Sequence, residues 1–456
     1  PARLASSDQF TLSVRSASTV IASATTTGTA TGVQAAQVSR QIVEAGATYT
    51  ISETPTSGVA LGYASAYECT REGTVIAAGG SRSGPLTMPQ DDGAEVVCTF
   101  TNTLQQPRLF CDSGLFYGLT TNGALVQADG AVGGQATVGT WANVTGANAL
   151  GVASGGTGAY ALNRSTDAAN VLSILKWSPT GGFETLANSA YTTTDRAGTV
   201  IPGSIVAGAI DLATGRYLFG KYNNGSFYAW SFTESAPAAS RFTYLGSFSA
   251  GSAPNGNGDM AFDNRGNLYV LGAATVNNAS SAAIFTVTAE TLAGATGGTL
   301  AVSTSATRTL NGLDATPAFG SVNGIAFSPR GTIYLSSSTS TYEFDPTTWT
   351  RVAGTPRIDF ASTDLASCNS PGTITVQKNV VGRAASTDQF QLTLADANGA
   401  LGTASTTGTA TGRQAAQVGA FPAAIGSTLT VSEAMAAGST SAIGVYTVRL
   451  ECWSDG

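Results

Sequence analysis

The chain of 456 residues contains no histidine. That absence excludes Ser–His and Cys–His nucleophile systems, histidine-ligated metal sites and the usual proton shuttle at neutral pH. The sequence also contains no calcium-binding loop and no cluster of metal ligands. We therefore expect a protein without a metal or other cofactor, and one that is not an enzyme.

Charge is scarce as well: charged residues make up 11% of the chain, and the net charge is −7. Because there is no basic run, we expect no binding to nucleic acid or to anionic membrane surfaces. No stretch of about 18 apolar residues occurs, so the sequence predicts no transmembrane helix and no membrane insertion.

The abundant residues are Gly, Ala, Ser and Thr. With so little charge, this composition favours β-strands joined by many turns. It is typical of secreted bacterial surface proteins, and a generic β-rich soluble protein is the alternative. The length allows about three domains, each large enough to bury its own core.

A string near the start of the chain recurs near its end at one constant offset of 380 residues. The matched pairs are Ser7–Phe10 with Thr387–Phe390, Thr26–Gly32 with Thr406–Gly412, Gln34–Gln37 with Gln414–Gln417, and Ser52–Glu53 with Ser432–Glu433. An internal repeat of module size is typical of array proteins. The sequence thus predicts a module at 1–104, a different central domain at 108–369 and a second module at 371–456.

The central domain repeats a second pattern, in which a small apolar strand, a glycine turn and another apolar strand follow one another. The copies are 116–126, 151–161, 208–218, 259–270 and 324–335, with Gly324–Leu335 the clearest. A multi-strand unit that recurs about every 52 residues predicts a β-propeller. Five copies indicate five blades, and the long gap before the last copy leaves six as the alternative.

Five cysteines fit this organisation. Cys69 and Cys98 lie in the first module, Cys111 and Cys368 bracket the propeller, and Cys452 aligns with Cys69 through the shared Glu-Cys pair. The predicted disulfides are therefore Cys69–Cys98 and Cys111–Cys368, the second closing the propeller ring, with Cys452 left over. Two such pairs favour an oxidising, extracellular setting. Five unrelated buried thiols are the alternative.

Both end modules show the alternation of half-buried strands, as in Phe10–Val14, Tyr49–Glu53 and their counterparts Phe390–Leu394 and Leu429–Glu433. Short strands with glycine-rich turns indicate a small Ig-like sandwich, so the whole chain is expected to be all-β. Together with Thr373–Lys378 and Phe100–Asn102, these strands resemble the prealbumin-like (Cna-B or SpaA-type) modules of Gram-positive pilins and adhesins. The likeness is closest to the disulfide-bearing versions in actinobacterial surface proteins.

The resemblance implies a further set of residues. In that family, a lysine on the first strand and an asparagine on the last can form an isopeptide bond, while a glutamate between them moves the proton. Here Lys378 would be the amine, Glu433 and Glu53 the acids, and Asn102 the carboxamide. No module contains all three types. The alternative is a lysine and glutamates that are simply solvated at strand ends.

The two modules also differ in which strands they contain. The first has no counterpart of Thr373–Lys378, and the second has no counterpart of the strand around Cys98. A sandwich without one of its strands exposes unpaired backbone and an open core, which invites a donated strand. We expect both gaps to be filled from outside this segment, by flanking modules of a longer chain or by other subunits of a homopolymer.

These observations favour a non-enzymatic extracellular structural protein, a subunit of a surface fibre, pilus-like filament or adhesin stalk. The alternative is an adhesin whose propeller binds a ligand such as a host or surface glycan. In that case Trp177 and Trp230 would stack against sugars, although blade cores need such aromatic residues too. A hydrolase that uses a carboxylate such as Asp211 is compatible with the lack of histidine, but no motif supports it.

Overall fold

The structure is a computed structural model that describes residues 9–17, 19–57, 63–91, 93–104, 109–111, 114–164, 171–276, 279–313 and 319–454. Ser7 and Asp8 of the duplicated string lie outside the described residues. The chain divides into two compact units, Pro1–Arg108 and Leu109–Gly456. Each unit is described by itself below.

The first unit is a two-sheet sandwich. Its strands are β1 (Gln9–Ser16), β2 (Thr19–Thr25), β3 (Thr48–Ser57), β4 (Tyr63–Arg71), β5 (Thr74–Gly79), β6 (Ser83–Thr87) and β7 (Val97–Leu104). One sheet has the order β2-β1-β3-β6 and the other β5-β4-β7. The core between them contains Ile51, Tyr67, Cys69 and Leu86. Strand β4 alternates buried and exposed residues, because only one of its faces contacts that core.

The second unit begins with a β-propeller. In chain order its elements are β8 (Leu115–Leu119), β9 (Ala124–Asp129), β10 (Gln135–Thr140), β11 (Ala147–Val152), β12 (Ala159–Arg164), β13 (Val171–Ser178), β14 (Gly182–Thr185), β15 (Tyr191–Thr192), β16 (Ala207–Ile210), β17 (Tyr217–Asn223), β18 (Ser226–Phe232), β19 (Phe242–Ser249), β20 (Asn257–Phe262), β21 (Leu268–Val276), β22 (Ala279–Val287), α1 (Ala289–Ala293), β23 (Gly298–Thr299), β24 (Ser303–Thr304), β25 (Arg308–Thr309), β26 (Gly324–Phe327), β27 (Ile333–Ser336), β28 (Thr341–Phe344) and β29 (Asp364–Ala366). Single 3₁₀ turns lie at Ser154–Gly156 and Ala238–Ser240.

These strands form five sheets in the described part of the chain, each one blade. Four blades run outward from β11, β16, β20 and β26, while the first has the order β29-β8-β9-β10. The innermost strands β29, β11, β16, β20 and β26 contact one another in cyclic order. Strands β11, β16, β26 and β29 are buried along their whole length, because each has a neighbouring blade on both sides. The fold is therefore all-β, with five blades.

The glycine turns explain why the hairpins were visible in the sequence. Gly266 and Gly331 have φ values of +81° and +77°, a region in which side chains are strained. Each follows a polar residue in the tight turn between the first and second strands of its blade. The first sequence copy differs in position: its strands β8 and β9 are second and third in their blade, because β29 supplies the innermost strand.

The second unit ends with another small sandwich. Its strands are β30 (Gly372–Val380), β31 (Phe390–Asp396), β32 (Gly399–Ser405), β33 (Gly412–Ala423) and β34 (Thr430–Met435), followed by a 3₁₀ turn at Ile443–Val445. One sheet pairs β30 with β33, and the other has the order β32-β31-β34. Val376, Leu392, Leu394, Val418 and Phe421 form the core.

The duplicated string makes the same polar contacts in both sandwiches. Thr26 Oγ1 donates to Gln9 Oε1 at 2.8 Å and accepts from the Phe10 amide at 2.9 Å. In the second sandwich, Thr406 Oγ1 is 2.7 Å from Gln389 Oε1 and 2.9 Å from the Phe390 amide nitrogen. The repeated Gln and Thr residues thus have a structural role, since they fasten the loop to the start of β1 or β31.

One duplicated segment folds differently in the two sandwiches. Gly412–Ala423 is strand β33, paired along its length with β30. Its counterpart, residues 32–43, has no strand partner among the described residues, and Val33 and Ile42 are fully exposed. The difference follows from the presence of a β30-type strand in one sandwich and not in the described part of the other.

The second sandwich is fastened to the propeller at several points. Arg308 in blade four donates to the backbone carbonyls of Asn398, Gly399 and Ala400 and pairs with Asp396 at 3.2 Å. The Ala306 amide donates to the Leu401 carbonyl at 2.7 Å. Elsewhere, the Thr286 hydroxyl donates to the Ala420 carbonyl at 2.8 Å, and the Ile425 amide donates to the Arg330 carbonyl at 2.9 Å.

Candidate functional site

Glu53 bridges the two sheets of the first sandwich. It lies on β3, and its carboxylate accepts hydrogen bonds from Asn102 Nδ2 on β7 at 2.7 Å and from Ser65 Oγ on β4 at 3.1 Å. The Nη1 atom of Arg82 lies 4.0 Å from Glu53 Oε2. Burial raises the pKa of Glu53, and the two hydrogen bonds and Arg82 oppose that shift without cancelling it. The geometry therefore places an acid with a raised pKa directly beside a carboxamide.

The Nδ2 atom of Asn102 donates a hydrogen bond to Glu53, but the oxygen of the same carboxamide accepts none in the described part of the chain. Its Oδ1 atom is buried and has no hydrogen-bond partner among the described residues. Leaving such an acceptor without a donor costs about 1–3 kcal/mol. A donor that entered this gap between the sheets would recover that free energy.

Lys378 and Glu433 form the matching contact in the second sandwich. Lys378 Nζ on β30 is 2.6 Å from Glu433 Oε1 on β34, so the ion pair joins the two sheets. Both side chains are mostly buried, at 16% and 13% exposure. The ammonium also lies 4.6 Å from the centroid of the Phe390 ring, within the range of a cation–π interaction.

Glu53 and Glu433 occupy the same position in the duplicated unit, and the structure gives each a different partner. In the first sandwich the partner is the amide of Asn102, and in the second it is the amine of Lys378. Within the described residues no module brings amine, acid and amide together. A module with both a β30-type and a β7-type strand would place all three around one carboxyl group. A neutral amine could then attack the amide carbon, with the carboxyl group moving the proton and ammonia leaving.

Two disulfides are present, with the pairing that the sequence predicts. Cys69 on β4 is bonded to Cys98 on β7, directly opposite in the register of the two strands. Cys111 is bonded to Cys368, which lies just after β29. Because β29 pairs with β8, this second disulfide fastens the strand pair that completes the ring. Cys452 is a free, exposed thiol.

Trp177 and Trp230 lie inside the propeller. Their relative exposures are 4% and 0%, and the Trp230 indole donates to the Thr194 carbonyl at 2.8 Å. The face of a sugar cannot reach rings that are buried to this degree. The structure thus assigns both residues to core packing, the alternative that the sequence left open, and corrects the expectation that they stack a ligand.

The strongest electrostatic feature was not singled out from the sequence. Asp259 on β20 and Asp364 on β29 are fully buried on two of the innermost strands of the ring, close enough for the charge of Asp259 to help raise the pKa of Asp364. Asp259 accepts from the Met260 amide at 2.6 Å and the Ile325 amide at 2.8 Å, and Asp364 accepts from the Ala149 amide at 2.9 Å. Burial raises the pKa of Asp259 to about 8 and that of Asp364 well above its usual range. The pair therefore retains a proton at neutral pH.

Asp211, the carboxylate that the sequence analysis considered for a hydrolase, is a turn residue, and so is Asp263. Asp263 Oδ1 accepts from the Arg265 and Asn267 amides, and Asp211 Oδ1 accepts from the Ala213 amide. These are the backbone bonds for which aspartate is favoured in turns.

A groove of about 1060 Å³ opens beside blades two, three and four. Its lining includes three arginines, Arg216, Arg241 and Arg265, and the ring of Tyr160. Two acids, Asp211 and Glu234, also line the groove. Glu234 accepts from Tyr160 at 2.5 Å and pairs with Lys176 at 2.8 Å. The groove thus has three arginines against two acids, in a chain that is acidic overall.

The described residues hold no group of three or more acidic, cysteine or histidine side chains arranged for a metal ion. Nor do they include a helix with the length and hydropathy that a membrane crossing requires.

Comparison with known proteins supports the character of the two end modules. A family model described as a prealbumin-like fold domain matches residues 1–104 and 373–456. The segments at both ends of this sequence are therefore similar to a prealbumin-like module. No curated protein is significantly similar to the chain in sequence.

Solved structures with some likeness to the chain are remote. A functionally unknown protein from Desulfotomaculum acetoxidans is 13% identical, with a TM-score of 0.29, over 58% of this chain and 96% of its own. A DUF4784 family protein from Bacteroides caccae is 12% identical, with a TM-score of 0.27, over 71% and 96% of the two chains. TolB from Acinetobacter baumannii is 10% identical, with a TM-score of 0.28, over 72% and 79%. Likenesses this low carry no argument about function.

Proposed function

We propose that this protein is a non-enzymatic structural subunit of an extracellular surface filament or adhesin stalk. In this proposal the prealbumin-like modules link one unit to the next, and the propeller is the bulk domain between them. The modules are completed by strands from a neighbouring module or subunit. The match of both modules to a prealbumin-like domain and the two disulfides support a surface location.

One observation carries this proposal. Residues 32–43 belong to no strand in the described structure, whereas their duplicated counterpart forms β33 against β30 in the second sandwich. A segment outside the strand ladders can accept an added strand through backbone hydrogen bonds. The strand it fits is of the β30 type, with a lysine.

A peptide tests this assignment. The probe is a synthetic copy of Gly372–Val380 added to the whole protein, followed by hydrogen exchange and mass spectrometry. We expect residues 32–43 to become protected. The matched control is Val38→Asp, which changes the counterpart of the buried Val418 and should abolish protection there. Unchanged exchange at 32–43 with an excess of peptide would show that this segment is not a strand acceptor.

The incoming lysine would also meet the half-satisfied amide of Asn102. If the amine displaces ammonia there, the peptide becomes linked to Asn102, and the adduct is lighter than the sum of its parts by one ammonia. Asn102→Ala should bind the same peptide without the link. An adduct that keeps the full summed mass and separates on denaturation would restrict the contact to a non-covalent one.

The assembly itself is tested by microscopy of purified protein. We expect end-to-end filaments at high concentration, in which β30 of one copy leaves its own β33 and pairs with residues 32–43 of the next copy, and we expect Val38→Asp to abolish them. If the protein stays a monodisperse monomer under all conditions and the peptide gives no protection of residues 32–43, the filament proposal is wrong.

The arginine-lined groove favours a second function, binding of an acidic glycan by the propeller. Guanidinium groups match carboxylates in shape and charge, and Tyr160 offers an aromatic surface. A glycan array with uronic and sialic acids should then give binding that falls on Arg216→Ala. Equal binding by the variant, or binding of neutral glycans only, would exclude the groove.

A further inference from the structure

Residues 446–452 of the second sandwich have the pattern of a strand but no strand partner in the described chain. Tyr446, Val448, Leu450 and Cys452 alternate with polar residues, as in a strand that is buried on one face. Val448 and Leu450 are nevertheless 50% and 66% exposed, and Cys452 is exposed too. Apolar side chains in regular alternation are rarely left in water without a partner surface.

The duplication shows what covers this segment. Its counterpart in the first sandwich is β4, in which Tyr63, Ser65, Tyr67 and Cys69 occupy the matching positions and are all at most 9% exposed. Strand β4 pairs with β7 over its whole length, with Cys69 directly opposite Cys98 and Tyr67 opposite Phe100. The pattern is thus buried wherever a β7-type strand is present.

We infer that residues 446–452 bind a cysteine-bearing β-strand and that Cys452 forms a disulfide with its cysteine. This inference rests on the proposed function, in which modules are completed by added strands. The partner strand follows the chemistry of β7: a cysteine opposite Cys452, an aromatic residue two positions later opposite Leu450, and a short polar side chain opposite Val448.

An intact second copy of this chain does not supply that strand. Its Cys98 is already bonded to Cys69, and its β7 is paired with its own β4. The occupant is therefore a β7-type strand from outside residues 1–456 whose cysteine is held in a mixed disulfide with a small thiol. The Cys452 thiolate attacks the partner's sulfur, one S–S bond forms as one breaks, and the small thiol leaves with the electron pair.

The test uses the whole protein and a peptide copy of residues 95–104, with its cysteine activated as a mixed disulfide with thiopyridine. Release of the thiol gives the rate of coupling, and intact mass identifies the product. We expect coupling to Cys452 at least about tenfold faster than with a scrambled peptide that keeps the activated cysteine, because the ordered strand buries Leu450. Hydrogen exchange should slow across 446–452 in the product.

Two variants separate strand recognition from simple thiol reactivity. Leu450→Asp should lose the advantage of the ordered peptide while still reacting normally with a small activated disulfide. Cys452→Ser should bind the ordered peptide without coupling. Equal rates for ordered and scrambled peptides would overturn the inference. That failure would leave the acceptor at residues 32–43 untouched, since a different peptide probes it.

Discussion

Two buried carboxyl groups, Asp259 and Asp364, control how the centre of the propeller responds to pH. Their bonds reach the innermost strands of several blades, from Ala149 on β11 to Ile325 on β26. Tyr217 and Arg164 are the nearby ionisable groups. No sequence pattern links two residues so far apart in the chain. The position of Asp364 beside Asp259 depends on ring closure by β29.

The pair predicts a pH dependence with a definite sign. Because both pKa values are raised, the folded state holds more protons than the unfolded state from about pH 4, the ordinary carboxyl pKa, up to about pH 8. The free energy of unfolding should therefore fall as pH rises through this window. The asparagine side chain in the Asp364→Asn variant cannot ionise. The slope of the unfolding free energy against pH should therefore be smaller in this variant by up to about 1.4 kcal/mol per pH unit.

Tryptophan fluorescence during urea unfolding measures this effect. Four of the five tryptophans, Trp141, Trp177, Trp230 and Trp349, are buried in the propeller. Asp359→Asn, at a carboxylate that is 68% exposed and pairs with Arg357, is the control for the loss of one surface charge. A variant Asp364→Asn with an unchanged slope would show that the pair does not retain its proton.

Trp230 gives a second prediction at this scale. It is fully buried in the largest hydrophobic cluster and packs near Phe219 and Tyr244. Trp230→Ala should therefore destabilise the propeller by about 3–5 kcal/mol. Chemical unfolding followed by circular dichroism checks it, and a loss below about 1 kcal/mol would contradict core packing.

Among the elements, the hairpins were the most predictable and the closing strand the least. A glycine turn between two apolar strands, as at Gly331, is a local signal that the sequence displays directly. Strand β29 has three residues, Asp364–Ala366, too few for a periodic pattern. Its place in the first blade depends on the return of the chain after a full circuit, which no local signal encodes.

The duplicated segments predict a contrast in hydrogen exchange. Backbone amides of Gly412–Ala423 are bonded to β30, so they should exchange slowly. Amides of 32–43 should exchange rapidly, because they have no ladder partner in the described structure. Exchange of the whole protein followed by peptide mass spectrometry compares two segments that share the string Gln-Ala-Ala-Gln-Val in one sample. Equal protection of the two segments would mean that residues 32–43 are already paired.

For the whole molecule, ring closure depends on a covalent bond as well as on β29. The Cys111–Cys368 disulfide spans 257 residues, and loops of this length lose much entropy on closure. The double variant Cys111→Ala/Cys368→Ala should lose about 5 kcal/mol of propeller stability. Urea unfolding followed by tryptophan fluorescence measures it, with Cys452→Ser as the unaffected control. If Cys452→Ser lost as much stability as the double variant, the loss would not come from opening the ring.

The cysteines also mark what a sequence can and cannot reveal at this scale. Aligning Cys452 with Cys69 through the shared Glu-Cys pair, after a three-residue slip from the 380-residue offset, predicted the unpaired thiol. The half-sites around Glu53 and Glu433 could be proposed only by resemblance. Their real partners, Asn102 and Lys378, follow from which sheet each strand joins, and that requires the fold.

The guanidinium of Arg308, together with the contacts at Thr286 and Ile425, gives the second unit a mechanical property. A force applied to the second sandwich would be transmitted to the propeller through several hydrogen-bonded contacts, which lie in blades four and five. The short connection after Cys368 does not carry the load alone. In the proposed filament, tension would therefore act on blades four and five of the propeller. The Cys111–Cys368 disulfide would resist the opening of the ring.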